Sequence, residues 1–262
     1  MPHENIVFEI QNGIARLTLN RPDKLNSFNV AMHLEIRQAL EATREDSSAR
    51  VLVITGAGRA FCAGQDLGDR AVSPGGEVDL GESIEKYYAP LVRSLRALPM
   101  PVIAAVNGVA AGAGVQVALA CDIVIAAKSA SFIEPFCKLG LIPDTGGTYF
   151  LPRLVGAARA MGISMLGEKI PAEQAAQWGL IWRAVDDAEF PKTVEAIAAQ
   201  LASGPTRGLA RIKEAIYASA NNRFEQQLEL ERDLMRELGR SRDYQEGVAA
   251  FLEKRAPNFT GA

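Results

Sequence analysis

NGVAAGAGVQVALACDIVIAAKSASFIEPFCKLGLIPDTGGT, residues 107–148, is the stretch on which the reading of this chain turns. It opens with a turn of small residues, Gly108 to Gly114, that leads into an apolar helix ending at Cys121. A short strand from Asp122 to Ala127 follows, then a loop ending in Pro143-Asp144-Thr145-Gly146-Gly147. Glycine and alanine at a helix start allow a ligand to approach the backbone, where unpaired N–H groups and the helix dipole favour a developing anion. About thirty residues later a single carboxylate, Asp144, stands on a turn between proline and glycine. An anion-holding turn and one carboxylate suit proton abstraction next to a carbonyl.

The flanking segments predict an α/β fold. Ile6–Ile10 and Ile14–Leu19 alternate around Asn12-Gly13, which predicts a hairpin. Asn29 is the expected N-cap of an amphipathic helix reaching Asp46. Val51–Thr55 and Val102–Val106 are unbroken apolar runs, as in strands buried on both faces. Strand–helix–strand order makes them parallel crossover units. Residues 56–69 read as loop, 72–78 as an exposed loop, and a helix is expected over 80–98. Further helices are expected over 156–166, 171–178 (with Pro171 in its first turn) and 191–201, and a last strand over 182–185. Ser203-Gly204-Pro205 marks a boundary, dividing the chain into a core, residues 1–203, and an all-helical region, residues 204–262.

Composition narrows the function classes. A net charge of −3 leaves no footprint for nucleic acid or an anionic membrane. No apolar run is long enough to span a bilayer, and the N-terminus has no signal-like pattern, so a cytoplasmic location is expected. Cys62, Cys121 and Cys137 lack metal-ligand spacing, and neither a metal site nor a disulfide framework is expected. Cys62 reads as a small buried filler rather than a nucleophile, and His3 and His33 as structural.

Four segments carry a resemblance: LTLNRPDKLNSF, VLVITGAGRAFCAGQDL, PVIAAVNGVAAGAGVQVALACD and the terminal EGVAAFLEKRAPNF. Together, in this order, they resemble the crotonase (enoyl-CoA hydratase/isomerase) superfamily along nearly the whole chain. FCAGQDLGDR, LGLIPDTGGT, WGLIWRAVDD and GRSRDYQEGV are most similar to members that isomerise the ring epoxide of phenylacetyl-CoA. The resemblance implies a spiral of ββα units with an α-helical C-terminal region for trimerisation, hence a homotrimer or a dimer of trimers. It also implies a coenzyme A thioester whose carbonyl oxygen sits between two backbone N–H groups, here those of Gln65 and Ala113. Coenzyme A would belong to the substrate, with no separate cofactor.

The departures from the family pattern decide the expected chemistry. Hydratases carry glutamates at the positions matching Gln116 and Phe136, and both are non-ionisable here. Water addition needs one group to deprotonate water and one to deliver a proton, so the loss argues against hydration. Asp144 matches a functional aspartate of dienoyl-CoA isomerases and of 4-chlorobenzoyl-CoA dehalogenase. It reads either as a turn residue or as the base. The missing glutamates and the apolar neighbours Phe136, Leu141 and Ile142 favour the base, with burial expected to raise its pKa. Glu134 reads as a second acid or, in preference, as a strand-end or interface ion pair.

For the coenzyme, the resemblance places Lys24-Leu25-Asn26 and Ala63–Leu67 along the pantetheine and nucleotide. Lys24 would approach a phosphate, Asp66 would fix the loop or receive the adenine amine, and Lys254 would reach a phosphate from the last helix. A solvated loop lysine and a surface helix charge are the plainer readings of the two lysines. The preferred function is a thioester isomerase that turns the ring epoxide into an oxepin thioester, with double-bond shifts in 3-enoyl thioesters beside it. The alternatives are a 2-enoyl-CoA hydratase using Glu134 with Asp144, a nucleophilic Asp144, and a non-catalytic acyl-CoA-binding subunit.

Overall fold

The computed structural model describes residues 3–68 and 79–262. The hairpin forms as its sequence predicts: β1 (Ile6–Gln11) and β2 (Ile14–Leu19) are antiparallel, joined through Asn12 and Gly13, both at positive φ. Asn29 caps α1 (Val30–Glu45), its side chain accepting from the Met32 N–H at 2.8 Å. The apolar runs become β3 (Val51–Gly56) and β5 (Val102–Val106), parallel neighbours, and every residue of β5 is buried. With β7 (Ile123–Ala127) and β10 (Arg183–Val185) they complete a six-stranded sheet ordered β1-β2-β3-β5-β7-β10.

A second sheet was not foreseen. Four three-residue strands, β4 (Ala60–Cys62), β6 (Val109–Ala111), β8 (Ser131–Ile133) and β9 (Lys169–Pro171), line up in that order. β3, β5 and β7 of the large sheet are therefore each followed by a strand of the small one, and then by helical chain. The first turn of this spiral closes with α2 (Leu80–Ser83), a π-helical turn (Ile84–Tyr88) and α3 (Ala89–Ala97). The second closes with α4 (Ala113–Leu119). The third closes with a 3-10 turn (Pro135–Leu139) and α5 (Gly147–Leu166). The reading of 108–114 as one turn gives way here, because β6 occupies its first half.

Two other boundaries moved. α5 begins nine residues before the expected Gly156, which instead kinks it at φ 76° and ψ 162°. Pro171 is the extended N-cap of α6 (Ala172–Gln177), not part of its first turn. The helix α7 (Phe190–Ala202) lies close to its expected span, and α8 (Thr206–Ser219), α9 (Phe224–Leu238) and α10 (Arg242–Glu253) make up the expected helical region after Gly204.

The C-terminal helices are anchored to the core by buried polar bonds. Lys213 of α8 pairs with Asp122 at 3.0 Å and donates to the Leu95 carbonyl at 2.9 Å. Asp122 in turn accepts from the Val102 N–H at 2.7 Å and from the Tyr217 hydroxyl. Breaking one member of such a pair strands the other's charge, which costs about 3–5 kcal/mol. No helix among the described residues is long and apolar enough to cross a membrane.

Candidate active site

Two loops set the first half of the site. Pro22–Lys24 forms a 3-10 turn, after which Leu25 and Asn26 both take left-handed backbone. The Asn26 side chain is fully buried and donates to the carbonyls of Ala57 and Ala60 at 2.9 and 2.8 Å. The loop ending in Phe28 is thereby fixed beside residues 63–66. Phe28 N–H donates to Gly64 O at 2.7 Å, and Asp66 N–H donates to Phe28 O at 2.9 Å. This parallel bridge uses the groups on either side of Gln65 and turns the Gln65 N–H the other way.

What it faces is the start of α4. Gly112 (φ 50°, ψ −125°) breaks the line of β6, and the first N–H groups of α4 have no helical partner. A Cβ on Gly64 would lie 2.8 Å from Ala111 O and 3.4 Å from Ala113 N, so only glycine lets the two turns meet. Its φ of +87° adds a second reason. Neither the Gln65 nor the Ala113 N–H donates to a partner among the described residues. Unpaired backbone N–H groups on two adjoining turns are the kind of donor that holds a developing oxyanion.

The Gln65 side chain is held as well. The Tyr88 hydroxyl donates to its Oε1, and Tyr88, 1% exposed, reaches it from the π-helical turn. Single π turns recur at functional sites because they redirect a side chain within a helix. His33 packs against the rings of Phe28, Tyr87 and Tyr88 at 5.0, 5.5 and 4.5 Å, which fits its structural reading.

Asp144 is placed by an unusual turn. Thr145 is a β-branched residue at φ 53°, and Gly146 follows at φ 95°. In this conformation the Thr145 hydroxyl donates to Asp144 Oδ1 at 2.8 Å, and Gly147 N–H donates to Asp144 O at 2.7 Å. Asp144 is half-buried and opens on a cleft of about 670 Å³, lined also by Ile84, Ala89, Arg93, Leu141 and Ile142. The expected apolar wall is partial: Phe136 is buried, but Ile142 is 74% exposed. Leu80, Gly81 and Glu85 complete the lining of this cleft; the expected exposed loop, residues 72–78, lies outside the described residues.

Behind Asp144 sits the group the sequence undervalued. Glu134 is 1% exposed and accepts from Gln116 Nε2 at 2.6 Å. It makes no ion pair among the described residues, contrary to the preferred reading. Burial, with the neighbouring Asp144 charge adding to it against the Gln116 bond, pushes its carboxyl up to about 8. Gln116 stands one turn along α4 from Ala113, and a Cβ on Gly147 would lie 2.7 Å from its Nε2. The Asp144 turn thus packs on the same short helix that supplies one backbone donor.

The residues assigned to coenzyme A separate into two sets. Ala63 N–H donates to Leu25 O at 2.9 Å, so Leu25, Ala63 and Asp66 share one ridge beside the donor pair, with Lys24 and Leu67 exposed along it. Arg21, which the sequence reading passed over, pairs with Asp66 at 2.8 Å and donates to Ser27 O at 2.6 Å. That bond holds the Asp66 carboxyl below its usual range. Lys254 stands apart at the C-terminus of α10, exposed and with left-handed backbone. The Cys62 thiol is fully buried and pushed up to about 12 by desolvation, which makes it inert. No cluster of three metal-ligating side chains occurs among the described residues.

Comparisons with known proteins agree with this arrangement. Residues 9–262 match the family model for enoyl-CoA hydratase/isomerase. The chain is 56% identical to the 1,2-epoxyphenylacetyl-CoA isomerase of Escherichia coli K12, over 98% of this chain and 99% of that one. It is 50% identical to a probable enoyl-CoA hydratase of Rhodobacter capsulatus over the full length of both. Among solved structures, an enoyl-CoA hydratase from Bacillus anthracis superposes with a TM-score of 0.93 at 34% identity, covering 99% of this chain and all of the other. With its spiral of two sheets and matches along nearly its whole length, this chain belongs to the enoyl-CoA hydratase/isomerase family.

Proposed function

We propose that this protein is an isomerase of coenzyme A thioesters that converts 1,2-epoxyphenylacetyl-CoA to its oxepin isomer. The observation that carries the reading is the exchange of side chains around α4. Gln116 and Phe136 stand where hydratases hold two glutamates, and Asp144, on the turn packed against Gln116, lines the cleft. The 56% identity to an isomerase of that name supports the choice of substrate.

In this reading Asp144 removes the proton at C2, next to the thioester carbonyl. The enolate oxygen is held by the N–H groups of Gln65 and Ala113, which bind it more strongly than the ground-state carbonyl. Its electrons flow into the ring, the bicyclic epoxide opens to the seven-membered ring, and the proton is returned at a ring carbon. Every atom of the substrate is retained. The same steps move a double bond in a 3-enoyl thioester. Lys24, Leu25, Ala63 and Leu67 line the path of the coenzyme, and Arg21 with Asp66 keeps that path in shape. A trimer or a dimer of trimers is proposed from the exposed apolar side chains of the last helices, among them Phe224, Met235, Phe251 and Leu252. Lys254 would then meet the coenzyme of a neighbouring subunit.

Glu134 beside Asp144 gives two carboxylates, and this favours hydration as the second reading. Mass spectrometry of products from the ring-epoxide thioester and, separately, from crotonyl-CoA separates the two. Oxepin formation with negligible hydration is expected. Rapid hydration of crotonyl-CoA with no oxepin formed would overturn the proposal.

A further inference from the structure

The carboxyl behind Asp144 has no part in the reaction as written, yet nothing in the fold requires a carboxyl there. Glu134 is 1% exposed, and one oxygen accepts from Gln116 while the other is buried with no hydrogen-bond partner. A buried carboxylate oxygen left unpaired costs several kcal/mol, whereas the protonated form carries no charge. A leucine or methionine would fill the volume at less cost. An acid retained in such a place points to a use for its proton.

We propose that Glu134 is a positioning residue of this site, a neutral carboxyl clamped by Gln116 whose retained proton keeps a second buried negative charge away from Asp144. The inference rests on the reading of Asp144 as the base. It follows from how two nearby carboxyls divide one proton. With Glu134 neutral, Asp144 stays ionised and ready to accept from C2. When Asp144 takes that proton its charge disappears, and the negative charge passes to the enolate. An ionised Glu134 would add a second negative charge where the enolate forms, outside the reach of the two N–H donors.

Glu85 and Arg93 also line the Asp144 cleft, and neither is among the groups that shift Glu134. α4 contributes Gln116 and no ionisable side chain between Ala113 and Leu119. On α5, Arg153 lies over the Tyr149 ring at 3.7 Å and donates to that residue's carbonyl. On the turn of Glu134 itself, Cys137 and Lys138 lie toward Gly167, and Lys138 is exposed. Asp144 is the one charge acting on Glu134 among the described residues, and it disfavours ionisation.

The test compares Glu134→Ala and Glu134→Gln with the wild type, reading kcat and KM for the epoxide thioester across pH. The alanine variant is expected to lose about 10²-fold in kcat with KM little changed, as for a misplaced catalytic group. The glutamine variant, a permanent stand-in for the neutral acid, should recover at least about tenfold of that loss. In the wild type, kcat should fall about tenfold per pH unit above about pH 8, and this limb should vanish in the glutamine variant. The same alkaline limb in Glu134→Gln, or no recovery over alanine in a stably folded glutamine variant, would overturn the proposal. Should both variants misfold, carboxyl 13C resonances of the wild type and Asp144→Asn decide. A signal titrating near pH 8 that moves down in Asp144→Asn is expected, and no carboxyl titrating above about pH 6 would overturn it. Failure of the Asp144 reading registers separately, as isomerisation that survives Asp144→Asn.

Discussion

The donor pair and the carboxyl cluster each take one member from the short helix α4 and are built in opposite ways. The N–H groups of Gln65 and Ala113 are backbone, placed by Gly64, Gly112 and the Phe28 bridge. Almost any side chain that preserves the turn preserves the donors. The cluster of Gln116, Glu134, Asp144 and Thr145 is made of side chains, and each substitution changes which protons move. The first region therefore fits a chemistry common to thioesters, stabilising an enolate. In the proposed reaction the second selects one outcome among those that an enolate permits. The hydratase and isomerase names among the relatives are consistent with that division.

Variants sharpen the contrast. Gly64→Ala puts a Cβ 2.8 Å from Ala111 O in a backbone at φ +87° and should push the two turns apart. A loss of about 10²–10³ in kcat is expected, comparable to deleting an oxyanion donor. Retention of full activity would break the assignment of the pair. Glu134→Gln tests the cluster through stability instead. The wild-type carboxyl is raised by burial from about 4.5 to about 8, so the folded protein keeps a proton that the unfolded chain has released. Its contribution is whole below the lower value and is lost as pH rises to the upper one. The stability of Glu134→Gln relative to wild type should therefore grow by about 1.4 kcal/mol per pH unit across that window and stay level beyond it. Denaturant titrations at several pH values read this directly, and a gap independent of pH would mean an ordinary acidity for Glu134.

Smaller effects belong to groups at the edge of the contrast. Gln65→Ala keeps the N–H and removes the Tyr88 tie, so kcat/KM should drop only about fivefold, the worth of one buried hydrogen bond. A loss like that of Gly64→Ala would show that the side chain, not the backbone, matters. Lys24→Ala, at an exposed position, should raise KM about threefold at low salt, and the difference should fade as salt is added.

The two regions also differed in how far the sequence revealed them. The long strands were plain, because Val51–Gly56 and Val102–Val106 are apolar without interruption and Asn12-Gly13 specifies its turn. The donor turns were legible as glycine placed around a helix start, and the family resemblance named Gln65 and Ala113. The second sheet was not legible, since three residues give no period and its partners are far apart in sequence. Glu134 was misjudged for the same reason. Its burial depends on Gln116, eighteen residues earlier, and on the Asp144 turn, so no local pattern marks it. Tyr88 and Arg21 were overlooked because their partners, Gln65 and Asp66, lie 23 and 45 residues away.

Replacing one oxygen of Asp144 by nitrogen tests the central claim most directly. Asp144→Asn keeps the shape of the side chain and removes the proposed base. In parallel single-turnover reactions with the ring-epoxide thioester, wild type should yield oxepin product and the variant should be slower by about 10²–10⁴. Binding of a non-reacting thioester, held by the backbone pair, should change little. Product formed by Asp144→Asn at the wild-type rate would contradict the account and move the base elsewhere in the cleft.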